Sequence, residues 1–378
     1  GTAMPPQAGT AAVFFGDGSR GPSGQDIRGE TPLHGRSDDL AASYSTLADD
    51  DALAAKKREA AMLFSAAEGH LETEDAAEAL RSATAALPLF RETGDSNAVH
   101  DTLRIVVNAH RMESDIGYED KPAEAERFAS QELTQFEESG DKRGQAAMLL
   151  SLAECACDNR KVTPSQLADA GAWAQKALDL FRRSGDERMA ALALLEIAHI
   201  HALRREAGDT ERAASEARAA FERLGDRKGV ARAMHGLAIA SVLRRQMSQA
   251  LAQMKEVLAG FRELGIKKFE AFELCVMAEL HLDDDKPQRA LPLAREALDI
   301  FRRIEYAKGW EAASLLAVSR ALLGKQQAPL AVKAAQEGLS CLQDRGDRRQ
   351  IVFGYEILAN SMLAAEQAGG APGGGGKG

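Results

Sequence analysis

The chain has 378 residues, of which 28% are charged and 5% aromatic, with a formal net charge of −10. That balance argues against a nucleic-acid phosphate backbone as the main partner. Four cysteines, Cys155, Cys157, Cys275 and Cys341, are too few to staple a chain of this length. They point to a reducing compartment, the cytoplasm first, with an organelle left open because the sequence begins at Gly1 and not at Met. No apolar run approaches the roughly 20 residues that span a bilayer, and the first residues lack the pattern of a secretory signal.

Residues 1–48 mix Gly, Pro, Ser and charge, a composition expected to be disordered. Their one apolar cluster, Val13-Phe14-Phe15, could dock on the chain's own groove, although a functionless sticky tail is the plainer reading. A 3.6-residue apolar period begins near Asp49, where Asp49, Asp50 and Asp51 suit the start of a helix reaching about His70. A polar turn over Glu72 to Asp75 leads into a second predicted helix from Ala76 to Thr93.

That helix ends on a phrase that recurs. Phe90 is followed by Gly94-Asp95, Phe136 by Gly140-Asp141, Phe181 by Gly185-Asp186 and Phe221 by Gly225-Asp226, then in worn form come Phe261, Phe301 and Leu342. The steps are 46, 45, 40, 40, 40 and 41 residues, so the chain is a tandem array in which each unit buries its apolar face on its neighbours. Before each Phe, at offsets of eleven, seven and four, stand mostly small residues, such as Ala79, Ala83 and Ala86 or Ala170, Ala174 and Ala177. These offsets lie on one helical face, so the second helix of every unit carries a small-residue stripe that ends in a bulky plug. The glycine suits the left-handed end of that helix, and the aspartate suits the N-cap of the next. Eleven and twelve residues beyond it lie large-small pairs, such as Leu152-Ala153, Ile197-Ala198, Leu237-Ala238, Met277-Ala278 and Leu358-Ala359, expected to seat the neighbour's stripe.

A two-helix unit with small residues at these spacings resembles the tetratricopeptide repeat. The 40-residue step with Gly-Asp-x-x-Gly, at Gly140 to Gly144 and Gly225 to Gly229, is similar to the long-period repeats of LGN/Pins-type adaptors, although no GoLoco motif follows. The resemblance implies an all-α, right-handed superhelical solenoid of about seven helix-turn-helix repeats plus a C-terminal capping helix. It would span 49–366, with 367–378 a flexible Gly-rich tail. Extra length falls at about 114–122 and 158–164, where a bulge could form a contact surface or merely a tolerated loop. The resemblance also places groove positions on the first helices: Glu154, Leu192, Glu196, His199, Arg232, His235, Ile239, Phe272 and Glu279. It gives no chaperone-type carboxylate clamp.

The residues offer little chemistry beyond this. Cys155-x-Cys157 and His199-x-His201 hold metal-ligating atoms, but residues two apart on a helix point about 200° apart, so neither pair converges on one ion. No phosphate loop, nucleophile elbow or HExxH is present, and no cofactor is implied. Arg204-Arg205 and Arg244-Arg245 sit one step apart and could form a basic edge for an acidic partner, or simply answer the helix dipole. The expectation is a non-enzymatic adaptor whose concave groove holds a partner peptide, amphipathic and carrying basic side chains, with oligomeric state open. The alternative is a structural subunit of a larger assembly.

Overall fold

The computed structural model of the protein describes residues 30–44, 53–116, 123–158, 162–304, 307–345 and 348–369, and among them every regular element is a helix. A single turn, α1 (Ala41–Tyr44), precedes α2 (Ala54–Glu72) and α3 (Ala76–Thr93), which form the first hairpin. There follow α4 (Ser96–Ile116) with α5 (Ala123–Ser139), α6 (Lys142–Cys157) with α7 (Pro164–Ser184), α8 (Glu187–Leu203) with α9 (Ala207–Leu224), and α10 (Arg227–Leu243) with α11 (Met247–Leu264). These hairpins belong to one compact unit, residues 28–265. The second unit holds α12 (Lys267–Asp283), α13 (Pro287–Phe301), α14 (Lys308–Gly324), α15 (Ala328–Arg345) and α16 (Arg348–Gly369).

The recurrent phrase works as its chemistry requires. Gly94, Gly140, Gly185 and Gly225 lie at φ between +69° and +75°, the left-handed conformation that closes a helix without a Cβ penalty. The aspartate side chains then accept from the third amide of the next helix: Asp95 from Ala98 at 3.0 Å, Asp141 from Gly144 at 2.9 Å, Asp186 from Met189 at 3.1 Å and Asp226 from Gly229 at 2.9 Å. A ladder follows from the same phrase. Arg143 and Arg188, each two residues past a capping aspartate, pair with the aspartate of the next unit, Asp186 at 2.9 Å and Asp226 at 2.7 Å. The turns inside the α2–α3, α8–α9 and α10–α11 hairpins use a different device, with Glu74, Arg205 and Arg245 at positive φ of 61–63°.

The stripe is the core. Ala79, Ala83, Ala86, Ala170, Ala174, Ala177, Ala214 and Ala217 are wholly buried, as are the plugs Phe181 and Phe221. The glycine that ends Gly-Asp-x-x-Gly has a packing cause, because a Cβ on Gly229 would meet the Phe221 ring at 2.2 Å and one on Gly144 the Phe136 ring at 2.5 Å. In the second unit Leu316, Ala335, Leu342 and Ile357 repeat this packing. On α16, Ala359 is exposed instead of seated, and Val352, Tyr355, Met362 and Leu363 are each about half exposed.

Two boundaries differ from the sequence reading. Residues 30–44 lie packed on the first unit instead of in a tail, because charge supplies the docking that apolar content could not. The last helix runs to Gly369, three residues past the expected end. Val13–Phe15, Asp49–Asp51, residues 117–122 and 159–161 of the two insertions, and the tail 370–378 lie outside the described residues. Replacing Gly229→Ala should destabilise the protein by roughly 1–3 kcal/mol through overpacking, measured by denaturant unfolding. In a Phe221→Ala background the same change should cost nothing or stabilise slightly; an equal loss in both backgrounds would refute the stacking explanation.

Candidate functional site

Four first helices of the 28–265 unit each present a row of polar residues spaced by three, four or, between Arg188 and Glu196, two fours. On α4 the row is Asp101, Arg104, Asn108 and Arg111, on α6 Ser151, Glu154 and Asp158 at its end, on α8 Arg188, Glu196 and His199, and on α10 Lys228 and Arg232. Offsets of three and four keep each row on one face. Arg104, Arg111, Glu154, Asp158, Glu196 and Arg232 are all buried, and on α6 every residue from Gly144 to Cys155 is buried. Charge of this kind is removed from water only when matched. The match is supplied by the chain's own segment, Glu30 to Leu40.

The segment meets an acidic half of the wall first. His34 has both ring nitrogens on carboxylates, Nδ1 to Glu196 at 2.8 Å and Nε2 to Asp158 at 2.7 Å, and its ring stacks on His199 with centroids 4.6 Å apart. Arg36 donates to Asp158 at 2.8 Å. Arg111 braces the same carboxylates, donating to Asp158 at 2.7 Å and Glu154 at 2.9 Å. A basic half follows. Arg104 forks onto Asp38 at 2.6 and 2.9 Å while holding Glu154 at 2.9 Å. Arg188 donates to the Asp38 carbonyl at 2.9 Å, Arg232 to that of Pro32 at 2.8 Å, and Lys228 to Asp39 at 2.6 Å. One step on, Ile266 stands at the position the ladder gives to an aspartate, and Lys228 pairs with Asp39 and Glu72.

Beyond the wall the chain is anchored again. Glu68 on α2 accepts the amides of Leu40 at 2.9 Å and Ala41 at 2.7 Å, capping α1, and the Tyr44 hydroxyl donates to Asp101. Close approach is built in at two glycines. A Cβ on Gly35 would meet Arg232 Nη2 at 2.5 Å, and one on Gly236 would meet Leu33 Cδ2 at 3.0 Å, so Leu33 sits in a notch of α10.

Burial alone would push His34 down, but the carboxylates of Glu196 and Asp158 overturn this and raise it to about 8. Burial would raise Glu196, and His34 foremost holds it well below its ordinary range. His199 is lowered to about 3 by burial and then by the neighbouring His34 charge. Of the two stacked rings the site therefore favours the proton on His34 and disfavours it on His199. Donor atoms of His34, Glu196 and His199 lie within 4.8 Å of one another, but both His34 nitrogens already have partners, Nδ1 on Glu196 and Nε2 on Asp158 with the Arg111 guanidinium 2.7 Å from the same nitrogen. His201 faces elsewhere, on Glu206 at 2.6 Å.

Of the residues expected from sequence, Glu154, Glu196, His199 and Arg232 are brought together here. Leu192, His235 and Ile239 are buried in the same unit. Phe272 and Glu279 lie in the second unit, Phe272 edge-on to Trp310 and Glu279 paired with Arg320. The arginine pairs have local partners: Arg204 donates to the Leu167 carbonyl at 2.6 Å and Arg244 pairs with Glu211 at 2.6 Å, while Arg205 and Arg245 form the left-handed turns. Sequence reasoning missed Glu68, Arg104, Arg111, Asp158, Arg188 and Lys228. Their signal was the three-and-four spacing of polar residues on first helices.

No known family profile and no curated protein matches the chain. Among solved structures, the apo form of RapI aligns over 83% of this chain and 88% of that one, with TM-score 0.53 and 12% identity. A tetratricopeptide repeat protein from Parabacteroides merdae ATCC 43184 covers 81% and 99%, with TM-score 0.47 and 15% identity. A Rap protein complexed with competence and sporulation factor covers 82% and 99%, with TM-score 0.45 and 13% identity. The fold is of the tetratricopeptide type. At these identities the likeness concerns fold alone.

Docking of the segment is proton-linked. The His34 contribution is whole below pH 6.5, its ordinary value, and lost as pH rises through about 8. Glu68, pushed up to about 8 by burial, acts in the same sense, since its ionised form is the costlier to bury. Tryptic cleavage after Arg36, normalised to a free peptide of residues 30–44, should accelerate about tenfold or more between pH 6.5 and 8.5. A flat ratio would contradict the imidazolium clasp.

Proposed function

We propose that this chain is a non-catalytic protein-interaction scaffold whose polar wall on α4, α6, α8 and α10 binds an extended segment of a partner protein. One observation carries the reading: charged side chains on four successive first helices are buried and meet a non-helical stretch of backbone held by ion pairs and hydrogen bonds. A surface of that kind recognises a segment by the order of its charges. It takes basic groups at Asp158 and Glu196, with Glu154 bracing the arginines behind them, and it takes acidic groups at Arg104, Arg188 and Lys228. The net charge of −10 favours a protein over a nucleic acid as partner. The 40-residue period favours, among tetratricopeptide proteins, long-period adaptors similar to LGN/Pins. Four cysteines, none of them in a disulfide, suit a reducing compartment, and no helix among the described residues is long and apolar enough to cross a membrane.

A second reading, a subunit of a larger assembly, is favoured by the outer face of α16. There Val352, Tyr355, Met362 and Leu363 line one side of the helix, 47–56% exposed, as a helix does when another element covers it. The two readings separate by affinity capture with the full chain. With Glu196, His199 and Arg232 changed together to alanine, recovery of the partner should fall at least tenfold, while Tyr355→Glu with Met362→Glu should leave it unchanged. Partners that survive the first change and vanish with the second would reject the groove and establish the assembly reading.

A further inference from the structure

The stretch that covers the wall is built unlike the rest of its unit. From Glu30 to Leu40 it forms neither helix nor strand, and its apolar contact comes chiefly from Leu33 and Leu40. What otherwise holds it is charge. Elsewhere in the unit permanence is achieved with alanine and phenylalanine packed without voids. Buried ion pairs are poor at that task, because desolvation offsets most of their attraction. Their strength is selectivity: a wrong charge in the same place leaves an unpaired one buried, at a far larger cost. A wall of fixed charges is therefore suited to recognising and exchanging segments.

We propose that Leu33–Leu40 is a resident ligand held in cis, and that the groove's ligand in trans is an extended peptide with the same order of chemistry. This deepens the scaffold reading and rests on it. The order is set residue by residue. An apolar side chain enters the notch at Gly236, and an imidazolium or other cation follows between Asp158 and Glu196. Glycine comes next, because a Cβ there would meet Arg232. A guanidinium then reaches Asp158, and after one further residue two adjacent carboxylates meet Arg104 and Lys228. Such a peptide replaces like with like, so exchange strands no charge. The resident copy is joined to α2 through residues 45–52, and a short tether acts as a local concentration of order mM. The intact chain is accordingly masked against weak ligands and opens only to a peptide that outcompetes the tethered copy.

The test uses full-length protein and a fluorescein-labelled synthetic peptide with the sequence of residues 30–42, followed by anisotropy at pH 6.5. The variant Leu33→Asp/His34→Ala/Arg36→Ala empties the groove by altering only the segment. It should bind the peptide at least tenfold more tightly than the unaltered chain, and should not bind a version with His34→Glu, Arg36→Glu, Asp38→Lys and Asp39→Lys. A second variant, Asp38→Asn/Asp39→Asn, loosens the other end and should give an intermediate gain. Equal binding by altered and unaltered chains would show that the segment does not compete, and would overturn the proposal. Absence of binding to both variants, with their helical circular dichroism intact, would make the segment a permanent strut and overturn it too. In that event, capture that still depends on Glu196, His199 and Arg232 leaves the scaffold reading standing, and its loss removes both.

Discussion

The interaction on which the first unit depends is the pairing of a charged wall with a charged strand. Isolated in a low-dielectric groove, Arg104, Arg111, Glu154, Asp158 and Glu196 would each carry a desolvation penalty of several kcal/mol. Arg111 and Arg104 offset part of it within the wall by bridging α4 to α6 through Glu154. The remainder falls to His34, Arg36 and Asp38, which are the groups the segment inserts. Wall and strand are therefore one electrostatic object, and neither can be described without the other.

The wall can exist because the repeat positions it. Phe136 and Phe221 each lie over a glycine of the following first helix, a left-handed glycine turns the chain, and Asp186 and Asp226 cap the next helix and receive an arginine from the preceding unit. That ladder fixes the register of successive first helices, so polar residues at equivalent positions fall into line. Where the phrase decays at Ile266, the last cation of the ladder, Lys228, turns to Asp39 and Glu72. A worn repeat has thus become part of the recognition surface.

Much of this was legible in the sequence, and the reason is periodicity. The hairpin from Ala76 to Thr93, the glycine turns, the aspartate caps and the alanine stripe all follow from local rules repeated down the chain, so each unit corroborates the others. Glu154, Glu196, His199 and Arg232 were reachable because the tetratricopeptide resemblance marks three positions on each first helix. Arg104 and Arg111 were not, since the groove reading began one unit too late, at α6. The segment was missed for a deeper reason. Its 30–40 stretch is polar, glycine-bearing and aperiodic, which locally is the signature of disorder. Only complementary charge some 70 to 190 residues away gives it a place, and no local rule reports that. The left-handed φ of Arg205 and Arg245 was not legible either, because a turn conformation on a non-glycine residue leaves little trace in composition.

The central claim is that this segment lies docked in the chain's own groove. Hydrogen exchange of the full-length protein tests it most directly, through the amides of Leu40 and Ala41, which donate to the Glu68 carboxyl oxygens at 2.9 and 2.7 Å. The account predicts that these two exchange slowly at pH 6.5, on the scale of helix amides, and become fast when Glu68 is changed to alanine. Exchange at the rate of an unstructured peptide in the unaltered chain would contradict it.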